Sequence, residues 1–373
     1  MQQNRRIEKI ASPLVVRFGA MGDMVLLTAL LRALHARFGS RVDLVFAERR
    51  LRPLLEAQPW IGNLYTIGTR KLPYWLSPHL WHLVRRLRAR GKGPVWICQT
   101  DALTHDLVER ADYDAPWRIT QRDYPPLPGE HSIDRLLRMA SDTPPALLPR
   151  AVPPQTPGIV PRLVIPAEWQ EETREWLAAR GLEHRPLVLI QAGNKRTMRL
   201  APRRRMRNRK YWPESSWASV IDRIHATTPQ AVVLLLGVRL EGTLNRAILR
   251  HTTTNAAIDV AGQVPIPRMV ALCARALGMI SVDTGPAHVA AAVGCPLVVL
   301  FGDQDPRFIA PRSEHTPVEI VTGSRDLERP LLTITPDAVV AAWQRLLDSV
   351  SAATLQAESP ARPGTNRRAH ERR

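Results

Sequence analysis

The sequence predicts an α/β protein made of two Rossmann-like domains that face a central cleft. Short apolar runs of strand length alternate with longer runs at helical spacing throughout the chain. Polar, glycine-containing turns follow several of the apolar runs. Eight prolines between Pro144 and Pro166 divide the alternation into two halves, since such a stretch suits neither a helix nor a central strand and reads as a semi-rigid linker. At 373 residues and 45% hydrophobic content the chain can bury two cores. The expected division is a domain over residues 1–150, a linker over 151–166, a second domain over 167–350 and a disordered basic tail over 351–373.

In the first half, Leu14 to Phe18 reads as a buried strand, Gly19 to Asp23 as a glycine loop, Met24 to Phe38 as a helix and Val42 to Phe46 as the next strand. The G-x-x-G-D loop lacks the three glycines and the later carboxylate of a dinucleotide fingerprint. Asp23 is open to two readings. It is a first-turn helix residue stabilised by the macrodipole, or a carboxylate at a strand end that faces the cleft as a general base. Pro53 to Ala57 then reads as a short helix, Leu64 to Ile67 as a strand, Pro78 to Arg90 as a helix and Val95 to Cys98 as a strand. Asp101 to Arg110, Trp117 to Thr120 and a helix over Ser132 to Met139 complete this half. The segment with Tyr74, Trp75, Trp81, Arg85, Arg86 and Arg88 fits an amphipathic helix packed on the sheet, or an interfacial face for an acceptor or a membrane.

In the second half, Glu168 to Arg180 reads as a helix ended by Gly181, Leu187 to Gln191 as a strand, and Ala192, Gly193 and Asn194 as its turn. A basic insertion follows, and Lys210-Tyr211-Trp212-Pro213-Glu214-x-x-Trp217 leads into a helix to Thr227. Ala231 to Leu236 is a strand after which Glu241 opens the next helix. That carboxylate suits ribose hydroxyls or simply the first turn of a helix. Ile258 to Ala261 is a strand, Pro265 to Ala276 a helix, Val318 to Val321 a last strand, and Pro336 to Val350 a helix expected to cross back over both domains.

The net charge of +18 is concentrated. Nine Lys or Arg and no acidic residue lie between Lys195 and Lys210, and Ser359 to Arg373 holds five Arg against one Glu. Together they supply thirteen of the eighteen surplus charges. Such blocks attract nucleic acid, anionic lipid or a phosphorylated acceptor. Against nucleic acid, aromatics are only 5% of the chain and the cations sit in one loop and one tail. Cys98, Cys273 and Cys295 lie in apolar runs without metal spacing, so they are expected as buried thiols, and no metal site is expected. The amino-terminal segment shows no secretory signal, and no apolar run reaches bilayer length. A cytoplasmic protein, soluble or peripheral, is the expectation.

The most informative stretch is Gly278 to Pro306, GMISVDTGPAHVAAAVGCPLVVLFGDQDP. It reads as strand, turn, helix, strand, with Asp283, Thr284, Gly285 and Pro286 in the turn. That turn offers helix-start N–H groups at a strand's carboxyl end, where open parallel sheets bind phosphate. Pro286 suits a first helical turn, Gly285 lets a ligand approach the backbone, and His288 lies one turn in. The patterns D-T-G-P-x-H-x-A-A-A-x-G-x-P and L-F-G-x-x-D-P resemble the donor-binding signature of the family 9 glycosyltransferases, the bacterial heptosyltransferases of lipopolysaccharide core assembly. R-F-G-A-M-G-D-M-V-L-L-T-A-L-L-R-A-L resembles that family's amino-terminal motif, and K-x-W-P-x-x-x-W another of its features.

The resemblance spans about Leu14 to Val350 and implies the GT-B architecture, with the acceptor bound by the first domain and a nucleotide sugar by the second. It implies inverting transfer without a metal or other cofactor. Asp23 would be the base, Lys210 would neutralise the leaving diphosphate, and Gly22, Gly193, Asn194, Glu241, Asp283, Thr284, Gly285 and His288 would bind the donor. ADP-heptose and an anionic, lipid-linked or phosphorylated core glycan are the implied substrates. The insertion between Asn194 and Lys210 departs from the pattern and leaves the register of Asn194, Lys195 and Arg196 open. Alternatives on the same fold are a transferase with another donor or a protein or polymer acceptor, and a sugar-nucleotide 2-epimerase. A fold that only binds is disfavoured because Asp23, Lys210, Asp283 and His288 are all present.

Overall fold

The computed structural model describes residues 10–67, 74–150, 158–194, 208–324 and 327–358. Among these, β1 (Leu14–Val16), β2 (Val42–Phe46), β3 (Ile61–Thr66), β4 (Val95–Ile97) and β5 (Arg118–Thr120) form a parallel sheet in the order β3-β2-β1-β4-β5. Its helices are α1 (Met21–Phe38), α2 (Arg52–Glu56), α3 (Pro78–Ala89), α4 (Ala102–Arg110) and α5 (Ser132–Ser141). After α6 (Ala167–Ala178), the strands β6 (Leu187–Gln191), β7 (Val232–Leu235), β8 (Ala257–Asp259), β9 (Gly278–Val282), β10 (Leu297–Phe301) and β11 (Val318–Thr322) form a second parallel sheet, ordered β11-β10-β9-β6-β7-β8. It carries α7 (Glu214–Thr227), α8 (Gly242–Leu249), α9 (Ile266–Arg275), α10 (Gly285–Ala292), α11 (Pro306–Ile309) and α12 (Pro336–Glu358). In each sheet the first strand of its half lies beside the fourth. At that reversal the loops on either side diverge and open a crevice at the carboxyl ends of the strands. The chain after β1 enters one crevice, and the chains after β6 and β9 enter the other. This is the two-domain α/β class that the alternation predicts.

Helix α1 is apolar nearly all round, MGDMVLLTALLRALHARF, because it is covered on both sides. Met24, Leu27, Leu30, Leu31 and Leu34 pack on the first sheet. Val25 joins the core of the second half, and Leu26 and Ala29 meet Ile133 of α5. Gly39, at φ 62°, ends the helix in the left-handed region. The described part of the linker is tied to this helix and to the second half. Arg162 N donates to Thr28 Oγ1 at 3.2 Å, Arg32 Nη1 to Val160 O at 2.6 Å, and Leu163 N to Ala292 O at 2.9 Å.

The seam between the halves is closed at its far side by α5. His131 is 2% exposed; its Nδ1 accepts from Ile133 N at 3.1 Å while Nε2 donates to Ala310 O at 3.0 Å. Asp134 beside it takes two bonds from Arg312, at 2.6 and 2.9 Å. The two histidine bonds together require the neutral ring. Burial first, and the Arg312 charge second, push its pKa down to about 4. Because the folded value lies below the unfolded one, the unfolded chain binds the extra proton, and stability is lost as pH falls from about 6.5 toward 4. The melting temperature is therefore expected to drop by several degrees across that window. His131→Asn, which keeps a capping side chain, should show a shallower fall. An equal pH slope for the two proteins in a calorimetric scan would show that His131 does not carry the effect.

Four sequence expectations change. First, α1 begins at Met21, so Gly22 and Asp23 belong to its first turn and not to a loop before it. The reason is that Asp23 caps the helix itself, its Oδ2 accepting from Ala20 N at 3.0 Å. Second, the proline-rich stretch holds a 3-10 turn, Pro145–Arg150, which such a short segment permits because it needs few N–H donors. Third, α12 continues through Ser351 to Glu358, past the expected limit at Val350; residues 359–373 of the tail lie outside the described residues. Fourth, among the described residues the apolar face of α12 is buried in the second domain: Val339, Ala342, Trp343 and Leu346 join the core of the second sheet with α7.

Candidate active site

The first turns of α1 and α10 meet across the crevice between the sheets. A Cβ added to Gly22 would sit 2.9 Å from His288 Cδ2, and one added to Gly285 would sit 2.8 Å from Met21 Cβ. Both glycines are thus required by helix-to-helix approach. For Gly285 the partner in the structure is Met21, where sequence reasoning places a ligand. The carboxylate of Asp23, on the same turn as Gly22, is paired with Arg17 at 2.9 Å, with 42% of its side chain open.

On the other side, Lys210 Nζ donates to the carbonyl oxygen of Asp283 at 2.9 Å and to its carboxylate Oδ2. Among the described residues these partners engage two of the three ammonium hydrogens, which leaves one for a phosphate oxygen. His288 Nε2 stands 3.9 Å from the other carboxylate oxygen, Oδ1. Burial lowers the His288 pKa, against the opposing charges of Asp283 and Asp23, so the ring is neutral. Its Nδ1 is buried and has no hydrogen-bond partner among the described residues. Thr284 caps α10 in extended conformation and its hydroxyl donates to Val282 O at 3.1 Å. Pro286 occupies the first turn of α10, where its missing N–H costs nothing.

Lys210 owes its place to the two tryptophans that follow it. Trp212 and Trp217 are buried and pack edge to face at 4.8 Å, and Trp212 Nε1 donates to Ile334 O at 3.0 Å. The loop after β10 supports the same segment, since a Cβ at Gly302 would meet Arg209 O at 2.8 Å. Residues 195–207 of the basic insertion, with Lys195 and Arg196, lie outside the described residues. Their flanks come together, with Asn208 Nδ2 donating to Asn194 Oδ1 at 3.3 Å. The chain therefore returns to the strand end it left, and Lys210 keeps its position beside β9.

Glu241 is 4% exposed and lies beneath the turns that follow β6 and β7. Its Oε2 accepts from Val238 N at 2.7 Å and its Oε1 from Gln191 Nε2 at 3.2 Å. A Cβ at Gly193 would come 2.6 Å from Oε1, so that glycine makes room for the carboxyl. Burial raises the Glu241 pKa, opposed by these hydrogen bonds. The structure therefore gathers Gly22, Asp23, Lys210, Asp283, Thr284, Gly285 and His288 around one crevice. Gly193, Asn194 and Glu241 form a second group at the ends of β6 and β7. Sequence reasoning missed Arg17, Gln191 and His131. For Arg17 the available signal was a cation directly after the apolar run of β1.

Two parallel α/β domains with facing strand ends make the GT-B architecture. A sequence model of Glycosyltransferase family 9 (heptosyltransferase) matches residues 129–325, more than half of the chain, and the protein belongs to that family. It is 26% identical over 362 residues to lipopolysaccharide heptosyltransferase 3 of Escherichia coli, covering 89% of this chain and 98% of the relative. Similar solved structures include a family 9 glycosyl transferase from Veillonella parvula, with TM-score 0.73, 21% identity, and 91% and 98% of the two chains covered. Another is the E. coli ADP-heptose lipopolysaccharide heptosyltransferase II, with TM-score 0.69, 21% identity, and 91% and 99% covered. These structures share the fold.

Proposed function

We propose that this glycosyltransferase moves a heptose from ADP-heptose to an anionic lipopolysaccharide-core acceptor with inversion at the anomeric carbon. The observation that carries the reading is the juxtaposition of Asp23 on one domain with the Lys210, Asp283 and His288 group on the other. Residues 1–150 take the acceptor and 167–350 the donor. Asp23 removes the proton of the acceptor hydroxyl, whose oxygen attacks the anomeric carbon from the face opposite the leaving ADP. Lys210 gives its remaining N–H to the diphosphate, and the N-terminal N–H groups of α10 behind Thr284 and Gly285 add to it. With these groups meeting the developing charge, a divalent cation is not needed as a fixed part. Neutral His288 donates to a phosphate or to the sugar. Glu241 and the turn at Gly193 and Asn194 hold the ribose.

The heptose and the acceptor are drawn from the names of the relatives, which are heptosyltransferases of lipopolysaccharide and lipooligosaccharide, and the ADP from the name of the similar E. coli ADP-heptose heptosyltransferase structure. Among the described residues no helix is long and apolar enough to cross a membrane, and the concentrated positive charge suits an acceptor held at an anionic cytoplasmic membrane surface. The test is calorimetric binding of ADP, UDP, GDP and CDP, each with and without magnesium. The expected result is a clear preference for ADP that magnesium leaves unchanged. A preference for UDP or GDP would replace the donor, and a strict magnesium requirement would remove Lys210 as sufficient counter-charge.

A further inference from the structure

We infer that Arg17 is a positioning residue for proton transfer: its guanidinium holds the Asp23 carboxylate in the orientation that receives the acceptor proton. The inference rests on the reading of Asp23 as general base.

Arg17 follows β1 directly, and its backbone N–H still bonds Val45 O of β2 at 3.0 Å. Its side chain then turns across the carboxyl edge of the sheet. Nη1 donates to Cys98 O, just past β4, at 2.6 Å and to Gln121 Oε1, just past β5, at 3.3 Å. Nη2 donates to Asp23 Oδ1 at 2.9 Å. One rigid fork therefore ties the ends of β1, β4 and β5 to the first turn of α1. Only a guanidinium has planar donors spaced to do this.

The other carboxylate oxygen, Oδ2, is fixed by Ala20 N at 3.0 Å. With both oxygens held, the Asp23 side chain has lost its torsional freedom, yet each oxygen keeps a lone pair for an incoming hydroxyl. The loop is drawn tightly under it, because a Cβ at Gly19 would lie 2.3 Å from Asp23 Cβ. The exposures fit an arm and its tool: Arg17 is 22% open and Asp23 42%. A pair this exposed adds little to folding stability, so the fixed geometry is better explained by orientation of the base.

The test is steady-state kinetics with ADP-heptose and a deacylated lipopolysaccharide-core acceptor on Arg17→Gln, Arg17→Lys, Asp23→Ala and the Asp23→Ala/Arg17→Gln double variant, with a melting curve for each. Arg17→Gln is expected to lower kcat by about 30-fold or more with both KM values within about threefold, a split that marks a lost transition-state interaction. Arg17→Lys, which keeps the charge and one directed donor, should recover to within about fivefold of the parent. In the Asp23→Ala background, Arg17→Gln should change the residual rate by less than about twofold, since no carboxylate remains to orient.

Arg17→Gln with kcat within about threefold of the parent overturns the inference, as does an effect confined to KM or two substitutions whose losses multiply. If Asp23→Ala is inactive while Arg17→Gln is active, the inference falls and the general base stands. If Asp23→Ala turns over normally, both fall.

Discussion

Asp23→Ala is expected to lower kcat by about a thousandfold, within the range that a positioned general base supplies, while the affinity for ADP changes by less than about twofold. The separation follows from where the groups sit. Asp23 belongs to the first turn of α1 and is held by Arg17 and Ala20 on the first domain. Lys210, Asp283 and the start of α10 belong to the second. Removing the carboxylate also removes a helix cap, at a cost of roughly 1 kcal/mol. Asp23→Asn is the matching control: it keeps an oxygen for the Ala20 N–H but has no proton affinity to offer. Both variants should be comparably inactive, with calorimetric ADP binding intact. Turnover above about a tenth of the parent in Asp23→Asn would take proton abstraction away from this residue.

The sheets were legible because their strands are short apolar runs between glycine-bearing turns, and runs such as Val42 to Phe46 and Leu187 to Gln191 have the bounds the sequence implied. The grouping of Asp283, Thr284, Gly285 and His288 was legible for the same reason, since one turn and one helix carry all four. What escaped depends on partners distant in sequence. Arg17 meets Cys98 and Gln121, and His131 meets Ala310; no local pattern encodes those pairs. The glycines show a subtler limit. Gly22, Gly193 and Gly285 were marked as site residues, and each lies at the site, but a protein side chain fills the space beside each one: His288, Glu241 and Met21. A glycine in sequence states that something comes close and leaves the neighbour unnamed.

Lys210→Ala is expected to reduce kcat/KM by about two to three orders of magnitude, the scale seen when a preorganised charge-stabilising donor is removed. The same substitution strands the Asp283 carboxylate, whose side chain is 7% exposed and whose Oδ2 is bound by the lysine. An uncompensated buried charge costs several kcal/mol, so the melting temperature should fall as well, and lost activity alone would not separate chemistry from folding. The double variant Lys210→Ala/Asp283→Ala does separate them. With the stranded charge gone, the melting temperature should return most of the way to that of the parent. Activity should not return, because no ammonium is left to meet the negative charge growing on the departing diphosphate. Lys210→Arg adds a second discrimination: it keeps the charge, but its wider, planar head does not reproduce a point charge shared between the Asp283 carbonyl, its carboxylate and a phosphate. It is expected to melt near the parent and to recover only part of kcat/KM. Recovery of turnover together with stability in the double variant would make Lys210 a structural partner of Asp283 and remove it from the chemistry.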